Sequence, residues 1–573
     1  EGVSWLGFFY GGNLAGAVFG CLFAGFYLLR VTDMRIATFV GAAINFAVAA
    51  VAWMLAGRAE YTPAEPRAPE VDPEPSRAVY IAIALSGMTA LGAEVIWTRL
   101  LSVMMGATTY TFSIILAVFL VGLWGGSAAG SSIARRSSNA RVPLAYCQLL
   151  LAASVAWTGY TVSHSLPYWP VDPWLSINPW FNFELDLART LWAILPATLL
   201  WGASFPLALS AAAQPGDDPA QLSGRVYAIN TLGSIVGSLA FSLWIIPTFG
   251  STASQQVLIV LAGLTALLAF ENMLYRGAAL VLAGALTLAV TDVPWQVIAY
   301  GRRIAPIVRA FDLYDRANPT TVLFRGEGIN SSVLVAERAG QRHFYVSGKA
   351  EASTAILDMR LERMMGHLPA LVHPNPKDVL VVGFGAGVTA GSFTRYPEVS
   401  NLTICELEPF IPPASNEYFG PQNYRVKDWP KTRIVYDDAR HFLLSTDEKF
   451  DIIASDPLDV FIKGTASIYT KEYFESVKRH LNPGGYFTLY VPLYETDEPT
   501  LRSELATFFA AFPNAAVFNN LRDGLGYDTV FMGSLEPLKI NLDEVTQRLA
   551  REDFAPVRQS LLDIGVPSAF DLY

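Results

Sequence analysis

Acidic residues end several predicted strands in the C-terminal half of the chain, beside a glycine-rich loop. The loop contains Gly383, Gly385 and Gly387 and lies between a predicted strand and a predicted helix. Glycines at such a turn let backbone N–H groups and a helix N-terminus approach a ligand closely. Glu406 ends the next strand, nineteen residues beyond Gly387, where a carboxylate can hold both ribose hydroxyls. This spacing predicts a nucleoside site.

The third and fourth strands of this series also end in acids. Asp437 and Asp438 end the third strand and could reach an adenine amino group, and Asp456 ends the fourth. The carboxyl ends of parallel strands meet at one edge of a sheet, on the side of the ligand crevice. The set therefore favours nucleoside binding over a purely structural use of the acids, which remains the alternative.

The hydropathy pattern beyond Thr320 predicts the elements that carry these residues. Short strands are predicted at 321–324, 332–336 and 343–346, and a helix at 353–366. Strands then alternate with helical stretches, at 378–382, 402–406, 433–436, 451–455 and 486–491. This order predicts a doubly wound, Rossmann-like α/β domain behind a small β cap.

Composition sets the rest of the chain apart. Of 573 residues, 52% are hydrophobic and 16% charged, with a mean hydropathy of +0.34, and the first lysine is Lys349. A net charge of −10 without a long basic run argues against nucleic acid as a partner. The three cysteines have no metal-ligand or disulfide-framework spacing, so no metal is expected.

Apolar runs near the ~20 residues needed to cross a bilayer predict a polytopic α-helical membrane domain. They lie at about 6–29, 36–56, 79–104, 108–134, 143–163, 187–212, 225–248 and 255–275, with a weaker ninth at about 277–300. The ninth is weaker because Asp292, Pro294 and Gln296 lie in its second half.

An internal repeat lies within this apolar part. Five residues recur at an offset of 217: Tyr10, Asn13, Gly16, Gly20 and Leu22 match Tyr227, Asn230, Gly233, Gly237 and Leu239. The second copy ends a set of six predicted helices, whereas the first copy has only two. Four helices of an earlier repeat are therefore expected upstream, and two six-helix repeats are the plan of major-facilitator-like transporters. The paired glycines are interpreted as close helix-packing positions.

These patterns divide the chain into six segments. The last two helices of a first repeat (1–57) precede a linker rich in proline and acid (58–78) and a second membrane repeat (79–300). A β cap with its lead-in helix (301–372), the Rossmann-like domain (373–535) and a C-terminal helical tail (536–573) follow.

Charged residues suggest how the helices are oriented. With the linker inside, eight arginines fall inside and only Arg30 and Arg35 outside, as the positive-inside rule requires. A multi-pass protein of the cell (inner) membrane is expected. If segment 277–300 spans the membrane, the C-terminal domain lies outside the cell. If the segment instead lies along the membrane surface, the domain is cytoplasmic, and this second arrangement is the one expected. Glu94 and Arg99, five residues apart in one predicted helix, are interpreted as having a structural, interhelical role, with a substrate pathway as the alternative.

Residues 343–491 resemble the spermidine synthase family of aminopropyltransferases. An ordered series of motifs carries this resemblance: GKAEAS at 348–353, GHLP at 366–369, HPNPKDVLVVG at 373–383, CELE at 405–408, DDAR at 437–440, SDP at 455–457, YTKEY at 469–473 and LNPGG at 481–485. The whole chain resembles bacterial membrane proteins in which major-facilitator-like helices are fused to such a spermidine synthase/methyltransferase-type domain.

The resemblance implies decarboxylated S-adenosylmethionine, or S-adenosylmethionine, as donor and a small-molecule amine as acceptor. It implies that Glu406 binds ribose, that Asp438 and its neighbour Ala439 bind adenine, and that Asp456 receives the amine proton. Asp459 matches a second acid of the family's catalytic motif.

Some family positions differ here. Ala386 stands where the family loop has an acid that grips the donor's ammonium. Glu351 stands near a family glutamine that binds substrate, and Leu361 near a family tyrosine. Tyr494 and Tyr527 are candidates for a late catalytic tyrosine. Nucleoside binding is therefore better supported than putrescine specificity.

Three functions remain open at this point. The first is an integral-membrane aminopropyltransferase or related transferase that uses an S-adenosyl donor. The second is a weakly active or inactive accessory subunit of a membrane complex, bound to a membrane-protein partner or to a second copy of the chain. The third is a transporter with a nucleoside- or amine-sensing domain.

Overall fold

The computed structural model describes residues 2–58, 77–169, 171, 178–214, 218–304, 315–460, 462, 464–494, 496–521 and 528–573. It forms two compact units, Glu1–Pro294 and Trp295–Tyr573. The sequence analysis assigned residues up to 300 to the membrane repeat, but Trp295–Tyr300 belongs to the second unit. Most of the predicted linker, and Tyr527, lie outside the described residues.

The described part of the first unit is helical throughout. Its main helices are α1 (Gly2–Phe23), α2 (Met34–Ala56), α3 (Arg77–Met105), α4 (Thr109–Arg136), α5 (Arg141–Tyr160), α6 (Pro179–Ala212), α7 (Pro219–Ala240), α8 (Ile246–Ala269) and α9 (Met273–Ala289). Seven helical segments are long and apolar enough to cross a membrane by length and composition. One of them, Pro219–Ala269, is interrupted by a kink at Gly250, where φ is +79°.

The predicted apolar runs coincide with these helices, with one difference near residue 270. The run predicted at 255–275 ends at Ala269, and α9 begins at Met273. The reason is local, because the Asn272 side chain accepts the Leu274 N–H and caps α9. The predicted ninth segment, 277–300, is helical as far as Ala289, is interrupted at 290–294 and is helical again from Trp295 to Tyr300.

Close packing joins the helices of the first unit. α4 packs against α6, and α3 packs against α7. A Cβ atom at Gly233 or Gly237 would collide with the backbone of α3, so only glycine permits this approach. At Gly16 and Gly20, no described atom lies within 4 Å of the place that a Cβ atom would take. The packing role therefore holds for the second glycine pair within the described residues.

The repeat also extends to backbone geometry. A five-residue π turn, Ala24–Leu28, continues α1, and a second π turn, Phe241–Ile245, joins α7 to α8. The two turns are 217 residues apart, which is the offset of the sequence repeat. A third π turn, Thr161–Ser165, follows α5, so the support for a duplication comes from the shared offset of the first two turns and not from the rarity of π turns.

Two contacts fix α9 beside α5. Near the start of α5, Arg141 pairs with Glu271 at 3.0 Å, just before α9 begins. Beyond the end of α5, His164 Nε2 lies 2.6 Å from Thr291 Oγ1, just after α9 ends. α9 therefore runs alongside α5 over its full length.

The second unit begins with α10 (Trp295–Tyr300) and a four-stranded antiparallel sheet. The strands are β1 (Thr321–Glu327), β2 (Ser332–Arg338), β3 (Gln341–Val346) and β4 (Lys349–Ser353). The sequence did not predict β4. A tight turn creates it, in which Ser347 and Gly348 have φ angles of +46° and +100°.

A seven-stranded mixed sheet follows. Its strands are β5 (Asp378–Val382), β6 (Asn401–Glu406), β7 (Thr432–Tyr436), β8 (Phe450–Ser455), β9 (Leu481–Pro492), β10 (Asn514–Asn519) and β11 (Asp528–Ser534), in the order β10-β11-β9-β8-β5-β6-β7. The pairs from β9 to β7 are parallel, and β10 and β11 are antiparallel. The predicted Rossmann-like fold is confirmed, and the strand order reverses direction between β5 and β8, where ligands bind in such sheets.

The helices of this unit cover the sheet. They are α11 (Ile356–Val372), α12 (Val388–Phe393), α13 (Ile411–Tyr418), α14 (Gly420–Asn423), α15 (Ala439–Ser445), α16 (Lys471–His480), α17 (Glu498–Ala511), α18 (Leu542–Ala550), α19 (Ala555–Leu562) and α20 (Ala569–Leu572). Phe554 and Leu561 share one hydrophobic core with Met365 of α11 and Val379 of β5. The C-terminal helices are therefore part of the core of the unit.

Candidate active site

The glycine loop has the geometry that its sequence predicts. It connects β5 to α12, and Gly383, Gly385 and Gly387 have φ angles of +88°, +50° and +83°. Residues other than glycine rarely adopt such positive φ angles. A Cβ at Gly387 would also collide with Phe384 and Asn423. The loop therefore needs glycine both for its turn and for its close packing.

Glu406 lies directly beneath this loop. One carboxylate oxygen accepts the Phe384 N–H at 2.8 Å, and the other accepts the Glu408 N–H at 2.8 Å. Burial raises the pKa of Glu406, although these N–H groups act in the opposite direction. Each carboxylate oxygen can accept more than one hydrogen bond. The side chain is thus held in place while keeping acceptor capacity for two hydroxyl groups.

Asp437 and Asp438 follow β7, as predicted, but both have local partners. Asp438 is exposed and caps α15, accepting the N–H groups of Arg440 and His441 at 2.9 and 3.1 Å. Asp437 accepts from His441 Nδ1 at 2.6 Å. Ala439, next to the cap, is buried. The structure brings these residues to the same sheet edge as Glu406, with a capping role for Asp438 that the sequence analysis missed.

Asp456 ends β8 on the other side of the glycine loop. Its carboxylate accepts the Thr389 hydroxyl of α12 at 2.7 Å. A Cβ at Gly383 would lie 2.9 Å from the Asp456 carbonyl oxygen, so the loop and this strand end are in close contact. Burial raises the pKa of Asp456, although the Thr389 hydroxyl lowers it. Such a carboxylate is suited to accept a proton.

Asp459 lies in a different environment. It is fully buried and forms an ion pair with Lys349 of β4. The Lys349 ammonium also lies over the Tyr494 ring, 4.5 Å from its centre. Asp459 therefore connects the β cap to the parallel sheet, and Tyr494, one of the two candidate tyrosines, lies beside this pair.

Further acids surround Asp456. Glu351 of β4 lies near enough to Asp456 for the two charges to repel, which adds to the effect of burial in raising the pKa of Glu351. Asp528, at the start of β11, is buried and accepts the Tyr490 hydroxyl at 3.2 Å. Burial raises the pKa of Asp528 to about 7. The sequence analysis missed Asp528 because β11 itself was not predicted.

A third acid, Glu362 of α11, was also missed. Only 7% of Glu362 is exposed, and burial raises its pKa, as do the nearby charges of Asp456 and Asp358. Its one sequence signal is a pair of charged residues, Glu362 and Arg363, between the apolar Leu361 and Met364. Such a pair is equally typical of a solvated helix face. Its position near Asp456 arises from the packing of α11 on α12.

Glu408 secures the cap to the sheet. It is buried, and its carboxylate accepts three successive backbone N–H groups of the β1–β2 loop, those of Ile329, Asn330 and Ser331, at 3.2, 2.5 and 2.8 Å. Across the described ranges, no group of three or more His, Cys, Asp or Glu side chains could hold a metal ion. The chemistry available at this edge is therefore that of carboxylates, hydroxyls and backbone N–H groups.

Comparisons with known proteins agree with this geometry. Residues 359–518 match the model of the spermine/spermidine synthase domain. The polyamine aminopropyltransferase of Escherichia fergusonii is 36% identical over 166 residues, which are 29% of this chain and 57% of that protein. The enzyme of the same name from Streptococcus pneumoniae is 34% identical over 163 residues, 28% of this chain and 56% of that protein. The matches thus span little more than half the length of these relatives.

Two solved structures also resemble part of the chain. A spermidine synthase in complex with the transition-state analogue AdoDATO is 19% identical, with 42% of this chain and 88% of that chain covered and a TM-score of 0.37. The spermidine synthase from Thermotoga maritima is 20% identical, with 40% and 79% covered and a TM-score of 0.36. Neither TM-score reaches 0.5, so the assignment depends on the sequence matches. By these sequence matches, residues 359–518 of this chain are similar to a spermine/spermidine synthase domain.

Proposed function

We propose that the chain is an integral-membrane aminopropyltransferase that transfers an aminopropyl group from decarboxylated S-adenosylmethionine to an amine. The observation that carries this proposal is the half-buried Asp456 carboxylate beside the glycine loop, with Glu406 anchored beneath the same loop. This transfer requires one acid that binds the nucleoside and one that accepts a proton. Glu406 and Asp456 supply them at the sheet edge where the strand order reverses.

The reaction is a nucleophilic substitution at carbon. The neutral amine nitrogen attacks the methylene carbon bonded to the donor sulfonium. A C–N bond forms, the C–S bond breaks, and its electron pair moves to sulfur, so that methylthioadenosine leaves as a neutral thioether. Asp456 accepts the proton that the amine must lose, and the site holds nitrogen and carbon in line.

The other residues position the donor. Glu406 accepts hydrogen bonds from the two ribose hydroxyls, and Asp438 and Ala439 lie at the adenine end of the crevice. Glu351 and Asp528 supply negative charge for the acceptor amine. Asp459 acts by holding Lys349 and the β cap in place, because its fully buried carboxylate is engaged in the ion pair.

A direct assay tests this function. The full chain in detergent is incubated with decarboxylated S-adenosylmethionine and 1,4-diaminobutane, and mass spectrometry follows methylthioadenosine and the aminopropylated amine. Equal amounts of the two products are expected. If the chain binds methylthioadenosine but forms no product with diamines of several lengths, the accessory-subunit function replaces this one.

The acids around Asp456 predict a dependence of stability on pH. Burial raises the folded-state pKa of Asp528 to about 7, from 3.8, and raises that of Glu351 above 4.5. Their stabilising contribution is therefore complete at low pH and is lost as the pH rises towards the folded-state pKa. We expect these two acids to lower the melting temperature of the ligand-free protein between pH 4.5 and 7. His367 partly offsets this fall, because burial lowers its pKa to about 3 and its contribution to stability therefore grows as the pH rises towards 6.5.

A diamine should counteract that loss. Because a dication binds the ionised carboxylates, 1,4-diaminobutane should raise the melting temperature more at about pH 8 than at about pH 5. The uncharged diol of the same length, 1,4-butanediol, is the control and should have little effect at either pH. Equal shifts by the diamine at both pH values would contradict this assignment of the acids.

The surface of the first unit supports insertion in a bilayer. Large apolar side chains are widely exposed there, including Phe46, Trp53 and Leu288 at 77%, 84% and 86%. Such a surface is far more apolar than that of a soluble monomer. We propose that this unit spans the cell membrane, with the two-repeat plan of major-facilitator-like proteins.

The contacts at both ends of α9 predict the side of the membrane on which the chain continues. Since α9 runs alongside α5 from Arg141 to His164, it crosses as completely as α5, and residues after Thr291 emerge opposite to the linker. The proposed transferase instead requires the C-terminal domain on the cytoplasmic side, with the S-adenosyl donor and the arginine-rich ends of the helices. An impermeant maleimide applied to intact cells separates the two arrangements. Sparing of both Asp447→Cys and Gly57→Cys is expected for the transferase, whereas modification of Asp447→Cys alone would favour the accessory-subunit function.

A further inference from the structure

Glu362 has a carboxylate oxygen without a hydrogen-bond partner. Its Oε1 is buried and makes no hydrogen bond within the part of the chain that the structure describes. Only 7% of the residue is exposed. Burying a carboxylate without a partner is costly, and natural proteins rarely leave such groups unsatisfied. The position therefore calls for a ligand with hydrogen-bond donors.

The surroundings of Glu362 place it at the proposed active site. The carboxylate faces the backbone N–H of Val388, the first residue of α12, two residues beyond Ala386 of the glycine loop. The charges of Asp456 and Asp358 also lie near enough to act on it. α11 and α12 are in close contact, since a Cβ at Gly366 would lie 2.8 Å from the Ser392 Cβ. The helix pair thus holds Glu362 close to the start of α12 and to Asp456.

The neighbouring arginine is engaged elsewhere. Arg363 attracts the Glu362 charge, but its guanidinium donates to the Ser560 carbonyl oxygen at 2.6 Å and to Asp563 at 3.3 Å, on the side of the C-terminal helices. Burial and the nearby charges of Asp456 and Asp358 raise the pKa of the Glu362 carboxyl and so disfavour its ionised form. A positively charged ligand reverses this effect, and it is therefore the kind of group that Glu362 can bind.

We propose that Glu362 binds the ammonium of the donor's aminopropyl group, supplying from α11 the negative charge that Ala386 lacks in the glycine loop. This inference rests on the proposed function. Glu351 is less suited to this role, because the positive charges of Lys349 and Arg303 already lie near it. Glu362 makes the site selective for the decarboxylated donor, since S-adenosylmethionine would bring its own carboxylate towards an acidic group.

Calorimetry on the full chain in detergent tests this assignment. The two probes are decarboxylated S-adenosylmethionine, which carries the ammonium, and methylthioadenosine, which lacks it. Glu362→Gln should weaken binding of the first by about 30-fold or more, as expected when one partner of a buried charge pair is removed. Binding of methylthioadenosine should remain within about twofold. Glu472→Gln, on the exposed start of α16, is the matched control and should change neither.

A second substitution separates recognition from folding. Adding Ala386→Asp to Glu362→Gln should restore much of the affinity for decarboxylated S-adenosylmethionine, because the charge returns from the loop side. Equal weakening of both probes by Glu362→Gln, or no weakening of either, would overturn the inference. If the native chain binds methylthioadenosine but not the decarboxylated donor, the inference is also overturned while nucleoside binding stands. If it binds neither probe, the proposed function itself fails.

Discussion

Replacing Asp456 by asparagine is expected to lower the turnover number by about 10²–10⁴-fold, the usual loss when a general base is removed. Asparagine keeps the shape of the side chain and can still accept the Thr389 hydroxyl, which lies 2.7 Å from the carboxylate in the native chain. It cannot take a proton from the amine. The affinity for methylthioadenosine should therefore be nearly unchanged, because Glu406 and the glycine loop are untouched.

The measurement is a comparison of initial rates with saturating donor and diamine. Asp447→Asn is the matched control, since Asp447 is an exposed acid of the same unit and its loss should leave the rate unchanged. An Asp456→Asn protein with the native rate would remove Asp456 from the reaction. A protein that loses methylthioadenosine binding as well would point to a structural role.

Replacing Lys349 by methionine should destabilise the second unit by about 3–5 kcal/mol, as is typical when one partner of a buried ion pair is lost. Asp459 would then remain as a fully buried carboxylate without its cation. Glu351 and Asp528 would also lose a nearby positive charge. The melting temperature of this unit should fall by about 10 °C, measured by scanning calorimetry on the full chain.

Removing both partners distinguishes a charge effect from a packing effect. The double variant Lys349→Met with Asp459→Leu replaces the pair by apolar groups, which is often neutral for stability. It should therefore recover most of the lost melting temperature. A double variant as unstable as Lys349→Met alone would mean that the contacts of the lysine chain, and its position over the Tyr494 ring, matter more than the charges.

The sequence predicted those parts of the site that lie on regular local patterns. β5 has the predicted bounds, and the glycine loop, Glu406 and Asp456 follow their strands as expected, because strand, turn and acid are adjacent in the chain. Asp438 shows the limit of such reasoning. Asp438 lies both after a strand, where an acid can bind a ligand, and before a helix, where an acid can cap the first turn. The sequence alone does not distinguish these two roles.

Long-range packing produced what the sequence did not reveal. Glu362 reaches the site only because α11 lies against α12, and Asp528 reaches it through β11, which pairs antiparallel with β9. Lys349 meets Asp459 across more than one hundred residues of chain. No local spacing encodes such contacts, since they depend on how whole elements stack.

The matched π turns at Ala24–Leu28 and Phe241–Ile245 have a consequence for the history of the chain. A π turn closes over one residue more than an α turn, because its hydrogen bond joins residues five rather than four apart. Each therefore corresponds to one extra residue in a helix. If the two copies arose by duplication, as the shared offset indicates, the extra residue was already present in their common ancestor. Homologues of either half should retain this turn even where the surrounding residues have diverged.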